Sequence, residues 1–69
     1  MEGKMKPIQV WTKQSGEWRC VFETHSPPDA KEYARDRISY TGWNLERVEI
    51  RDSFGKETLE TVWDRAWAT

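Results

Sequence analysis

The chain has 69 residues, with eleven basic and twelve acidic side chains, one histidine and one cysteine. A lone cysteine excludes an internal disulfide, one His with one Cys excludes a structural zinc site built from them, and a net charge of −1 matches neither the basic excess of a generic nucleic-acid binder nor the acidity of a DNA mimic. No apolar run approaches a transmembrane helix and Met1–Lys6 lacks a signal-peptide core, so the expectation is one cytoplasmic domain of residues 1 to 69, with 1 to 6 a flexible tail.

Residues 8 to 13 (IQVWTK) and 17 to 24 (EWRCVFET) alternate in period two, which predicts two strands. Gln14-Ser15-Gly16 between them predicts a three-residue loop, with Gly16 in the left-handed position. Such a loop pairs Lys13 with Glu17, Val10 with Cys20 and Ile8 with Phe22. One face then carries Ile8, Val10, Trp18, Cys20 and Phe22; the other carries Trp11, Lys13, Arg19, Val21 and Glu23. A four-residue loop would pair Trp11 with Trp18 and segregate the apolar residues less well.

Ser26-Pro27-Pro28-Asp29 is a strong helix start: Ser26 can cap, proline suits the first helical position, and Asp29 places negative charge at the positive end of the dipole. The helix should run to about Thr41 and stop at Gly42, with Trp43 folding back against it. Tyr40, Tyr33, Ala30, Thr41, Ala34 and Ile38 form one stripe, with two small alanines at its centre for close packing on a sheet. Arg37 falls within the stripe and should lay its stem on apolar surface with its head in water.

Residues 45 to 51 (LERVEIR) predict a third strand with Val48 and Ile50 inward, followed by a turn at Asp52-Ser53-Phe54-Gly55-Lys56. Residues 57 to 67 fit two patterns. As a strand after a four-residue turn, they would pair Leu59 with Ile50 and Thr61 with Val48. As a helix, Leu59, Val62, Trp63, Ala66 and Trp67 share a face. The strand is favoured because the turn directly continues a strand. The fold class is therefore α+β, in the order β-β-α-β-β, with one helix on one face of a mostly antiparallel sheet and β-β-α-β-α as the alternative. A crossover that skips the first strand gives the strand order 4-3-1-2.

No catalytic set emerges. His25 lies in a loop, Cys20 has core parity, the glycines form no phosphate-cradling run, and most carboxylates alternate with basic residues as ion pairs on a solvated face. No enzyme activity, metal or cofactor is expected. The uncovered sheet face is the candidate site. It presents Trp11 and Val21 among Lys13, Arg19, Arg47 and Arg51, with Glu23 and Glu49 between them. Trp and Arg are enriched in interface hot spots, so Trp11, Arg19, Arg47 and Arg51 are candidate protein-binding residues, with Phe54 and Trp67 at the rim. Of the five tryptophans, Trp18 and Trp63 are assigned to the core and Trp43 to the helix end. Trp11 and Trp67 either cover one another or await a partner. A sheet aromatic flanked by arginines can also stack bases, so single-stranded nucleic acid is the alternative partner, disfavoured by the acids on the same face. Self-association as a homodimer is the third account.

Asp29-Ala30-Lys31 to Ala34-Arg35, then Gly42, Val48-Glu49-Ile50, Gly55-Lys56 and a terminal Trp resemble the pattern of certain small phage and plasmid proteins. Some of these are anti-CRISPR proteins, and others of similar layout inhibit host RNA polymerase. The chain is equally similar to small bacterial domains of unknown function with an Ala-x-x-x-Ala-Arg helix and a final Gly-Lys hairpin. The resemblance spans roughly residues 17 to 67 and rests on short, common patterns. The Ser-Pro-Pro helix start and the first strand depart from the phage group. The resemblance implies a non-catalytic inhibitor or regulator acting on a larger host complex, and carries over no functional residue.

Overall fold

A computed structural model describes residues 6–41 and 44–68. Its elements are β1 (Ile8–Gln14), β2 (Glu17–Thr24), α1 (Pro27–Thr41), β3 (Arg47–Arg51) and β4 (Thr58–Asp64), closed by a single 3-10 turn over Arg65–Ala68. This is the expected β-β-α-β-β arrangement. The ambiguous last segment is a strand through Asp64, and its helical character is confined to the final turn. The four strands form one antiparallel sheet in the order β2-β1-β3-β4, which is the expected order read from the opposite edge. No helix among the described residues is long and apolar enough to cross a membrane.

The first hairpin departs from the expected register in two places. Its loop is two residues long, with Gln14 opposite Glu17 and Lys13 opposite Trp18. Ser15 (φ 54°) and Gly16 (φ 79°) both occupy the left-handed region, as a two-residue turn matched to strand twist requires. The Glu46 carboxylate accepts the Gly16 N–H at 2.8 Å and fastens this turn to the segment leading into β3. Trp11 then pairs with Cys20 and Val10 with Phe22, leaving Val21 as the extra residue of a bulge.

These two changes re-sort the faces. Ile8, Val10 and Phe22 face the helix as expected. Trp18 and Cys20, expected in the core, share the open face with Trp11 and Lys13 because opposed residues of an antiparallel pair point the same way. Cys20 is exposed rather than buried. Val21, expected on the open face, is half-buried against the core. Arg19 sits opposite the buried Thr12 and so belongs to the helix side of an edge strand.

The core consists of Val10, Ala30, Ala34, Leu45, Val48 and Ile50, with Tyr33, Ile38, Phe22 and Trp63 among the side chains packed around it. Ala30 and Ala34 let α1 approach the sheet closely, and the rings of Phe22 and Tyr33 stack in parallel with centroids 4.3 Å apart. The Ser26 cap forms as expected: its carbonyl accepts the Ala30 N–H at 3.0 Å and its hydroxyl accepts the Asp29 N–H at 3.4 Å. Tyr40, expected in the buried stripe, is instead 82% exposed. The helix's core contacts run from Ala30 to Ile38, about 12 Å along the axis, and its last turn passes beyond them. Arg37 is exposed, as expected. The proposed Gly42 cap, the Trp43 fold-back and the Thr41 side chain lie outside the described residues.

β3 begins at Arg47 rather than residue 45, although Leu45 is buried in the core. In β4, Thr58 pairs with Arg51 as a four-residue turn demands, but bulges then place Glu60 opposite Ile50, Thr61 opposite Glu49 and Trp63 opposite Val48. The expected Leu59–Ile50 and Thr61–Val48 pairs are therefore absent. The bulges let the neighbouring Val62 and Trp63 both pack against the core.

Candidate functional site

The open face is organised by Glu49. This residue sits mid-β3 with an arginine two positions away on each side, so all three side chains emerge on the same face. Glu49 Oε1 accepts the Arg51 Nε–H and the Thr58 hydroxyl, each at 2.9 Å, while Oε2 lies 2.7 Å from Arg47 Nε. The Arg47 contact is ionic, since that N–H is not aligned as a hydrogen bond. Glu49 is only 4% exposed although it lies on the uncovered face, because its cationic partners are what bury it. Arg47 extends further, donating from Nη2 to the Thr61 hydroxyl at 3.1 Å and meeting Asp64 at 3.3 Å through Nη1.

Arg51 links this polar row to the aromatic one. Its guanidinium carbon lies 4.2 Å from the Trp18 ring centroid and 5.0 Å from that of Trp11, and Nη1 donates to the Gly55 carbonyl at 3.1 Å. Trp18 also has the Lys13 ammonium 6.0 Å from a ring centroid. The Trp11 indole N–H donates to Gln9 Oε1 at 2.9 Å, and Gln9 in turn donates to Glu23 at 3.0 Å. Trp11 is thus half-buried within its own face, with Arg51 against its ring, Gln9 on its nitrogen and Gly55 against its six-membered ring.

Of the six candidates, Trp11, Arg47 and Arg51 lie together here. Arg19 faces the helix side. Phe54 is 70% exposed at the β3–β4 turn with Lys6 5.6 Å from its ring centroid, and Trp67 is 61% exposed in the closing 3-10 turn. The cover over Trp11 comes from Arg51 and the β3–β4 turn, which answers the question of what shields it. Trp18 and the organising role of Glu49 escape sequence reading. The first is hidden by the two-residue turn. The second shows only as an Arg-x-Glu-x-Arg spacing, which on a solvated strand means little.

Chemically, the face is balanced and locked. Lys13, Arg47 and Arg51 stand against Glu23, Glu49 and Asp64, and Glu49 is engaged through both oxygens. Among the described residues no group of His, Cys, Asp and Glu is placed to hold a metal ion. In the β3–β4 turn, Asp52 accepts the Lys56 and Phe54 N–H groups at 3.0 and 3.2 Å, and these bonds, that from Lys56 foremost, hold its carboxyl below the ordinary range. No family model, curated protein or solved structure matches the chain.

Proposed function

We propose that this chain is a non-catalytic protein-binding module that uses its open sheet face to occupy a surface of a larger protein complex. The observation that carries this reading is the Trp18–Arg51–Trp11 tier, preassembled on a face that α1 leaves uncovered. Trp and Arg supply much of the energy at protein interfaces, and side chains already fixed in place lose little entropy on docking. Trp18 and Lys13, half-buried like Trp11, are offered as the contact residues. Trp11, Arg47, Arg51 and Glu49 hold it in position. The alternating charge of the face suits a protein surface better than a phosphate backbone, which would favour an unbroken basic stripe. An inhibitory or regulatory role is the part of the proposal that rests on the resemblance of short sequence patterns to small phage and plasmid inhibitors alone.

The reading is tested by titrating the protein with single-stranded DNA and RNA oligonucleotides at low and high salt. No saturable binding at moderate ionic strength is expected. Tight binding that weakens steeply with salt, and is lost in Trp18→Ala, would assign the face to nucleic acid instead.

A further inference from the structure

Tyr40, Phe54, Leu59 and Trp67 are the large apolar side chains that stand exposed among the described residues. Phe54 and Leu59, the latter 51% exposed, line one hollow of about 300 Å³ together with Pro7, Ile8 and Lys6. The hollow lies where β1 begins and β3 ends, since Gln9 pairs with Arg51 and Arg51 with Thr58. Trp67 lies at the opposite end, just after Asp64, which pairs with Arg47, itself opposite Lys13. Five strand positions, about 17 Å, separate Ile8 from Lys13, so Trp67 is far from the hollow of its own chain.

We infer that copies of this chain associate head to tail, the Trp67 indole of one entering the Phe54–Leu59 hollow of the next. The volume is at the small end of the range for ligand pockets, roughly 300–1,000 Å³, and accommodates one large side chain rather than a cofactor. Electrostatics favour an indole in particular. Lys6 has its ammonium 5.6 Å from the Phe54 centroid and forms no ion pair among the described residues, so the electron-rich face of a tryptophan stacked there complements it. The neighbouring Asp52 carboxylate accepts the turn's amides. One indole and its surroundings bury well under the ~800 Å² per partner of a standard interface, so the contact is weak and reversible. Because different patches meet, the contact is heterologous and leaves a free hollow and a free Trp67 at the two ends of each assembly that has not closed into a ring, so assemblies grow with concentration. This inference does not depend on the open face being a partner site.

Sedimentation velocity over roughly a hundredfold concentration range tests it. The wild type should shift progressively to faster-sedimenting species, while Trp67→Ala alone and Phe54→Ser/Leu59→Ser alone each remain monomeric. Mixing the two variants should restore one competent contact and give dimers and nothing larger. All three positions are exposed, and circular dichroism melts should confirm that each variant is folded. A wild type that stays monomeric throughout, a Trp67→Ala variant that assembles like wild type, or a mixture that remains monomeric would each overturn the inference.

Discussion

Gly55 is seated directly on Trp11. A Cβ added to this glycine would come within 2.6 Å of the indole Cζ2, and its φ of +70° is one that side-chain-bearing residues rarely adopt. The β3–β4 turn thereby covers the Trp11 ring. Gly16 has a similar φ of +79° with nothing within 4 Å of its would-be Cβ. Gly16→Ala should therefore cost only backbone strain, about 1 kcal/mol, whereas Gly55→Ala should cost about 3 kcal/mol by adding displacement of a pinned indole. Urea unfolding of the two variants measures the difference. Equal losses would mean that the turn does not bear on Trp11.

Glu49 carries the charge balance of the face. Glu49→Gln keeps the shape but leaves two guanidiniums facing a neutral amide. Removing one partner of a fully buried pair costs roughly 3–5 kcal/mol; about 2–3 kcal/mol is expected here because Arg47 is partly exposed to water. A double-mutant cycle with Arg51→Met should show positive coupling that survives added salt, since buried pairs are poorly screened. Strict additivity of the two changes would contradict the proposed organisation.

The helix-facing side should tolerate no added bulk at its centre. Ala34 is fully buried against the sheet, so Ala34→Leu should destabilise by about 1–3 kcal/mol through overpacking. Tyr40→Ala, in the overhanging last turn, should fall within about 0.5 kcal/mol of wild type. Thermal melts of both distinguish the covered part of the helix from its overhang.

The β3–β4 turn should contribute its own acid sensitivity. The Asp52 carboxyl is held below its ordinary value of 3.8, chiefly by the Lys56 amide. A depressed folded-state value means that the ionised form stabilises the fold above the unfolded-state value. The stabilisation is lost as pH falls from about 3.8 through the lower folded value. Asp52→Asn should lower the melting temperature at neutral pH and show a smaller further loss on acidification than wild type. Parallel loss in both proteins between neutral pH and pH about 3 would remove Asp52 from the account.

The order of elements, the Ser26 cap and the helix span are legible in residue patterns, because each rests on local chemistry, and the strand order follows from the crossover rule. Face assignment is not legible, and the reason is specific. The strand segments Val21-Phe22 and Val62-Trp63 each hold two adjacent apolar residues, and both adjacent pairs mark bulges that turn the two side chains to the same side. In β4 the bulges space the open-face residues Thr58, Thr61 and Asp64 three apart, which imitates a helical repeat and explains why that segment fits both patterns. Ser15 in the left-handed region gives little warning of a two-residue turn, since non-glycine residues there are uncommon. With the loop one residue shorter, Trp18 and Cys20 change sides. The candidate face was therefore placed correctly for Trp11, Arg47 and Arg51 on central strands and misread on the edge strand β2.

The most direct test of the open face as a protein-binding surface is a quantitative pull-down from extracts of the source cells. It compares wild type, Lys13→Glu/Trp18→Ala and the hollow variant Phe54→Ser/Leu59→Ser. The account predicts at least one protein retained by the wild type and the hollow variant but lost with Lys13→Glu/Trp18→Ala. Recovery of the same proteins in the same amounts by all three would contradict it.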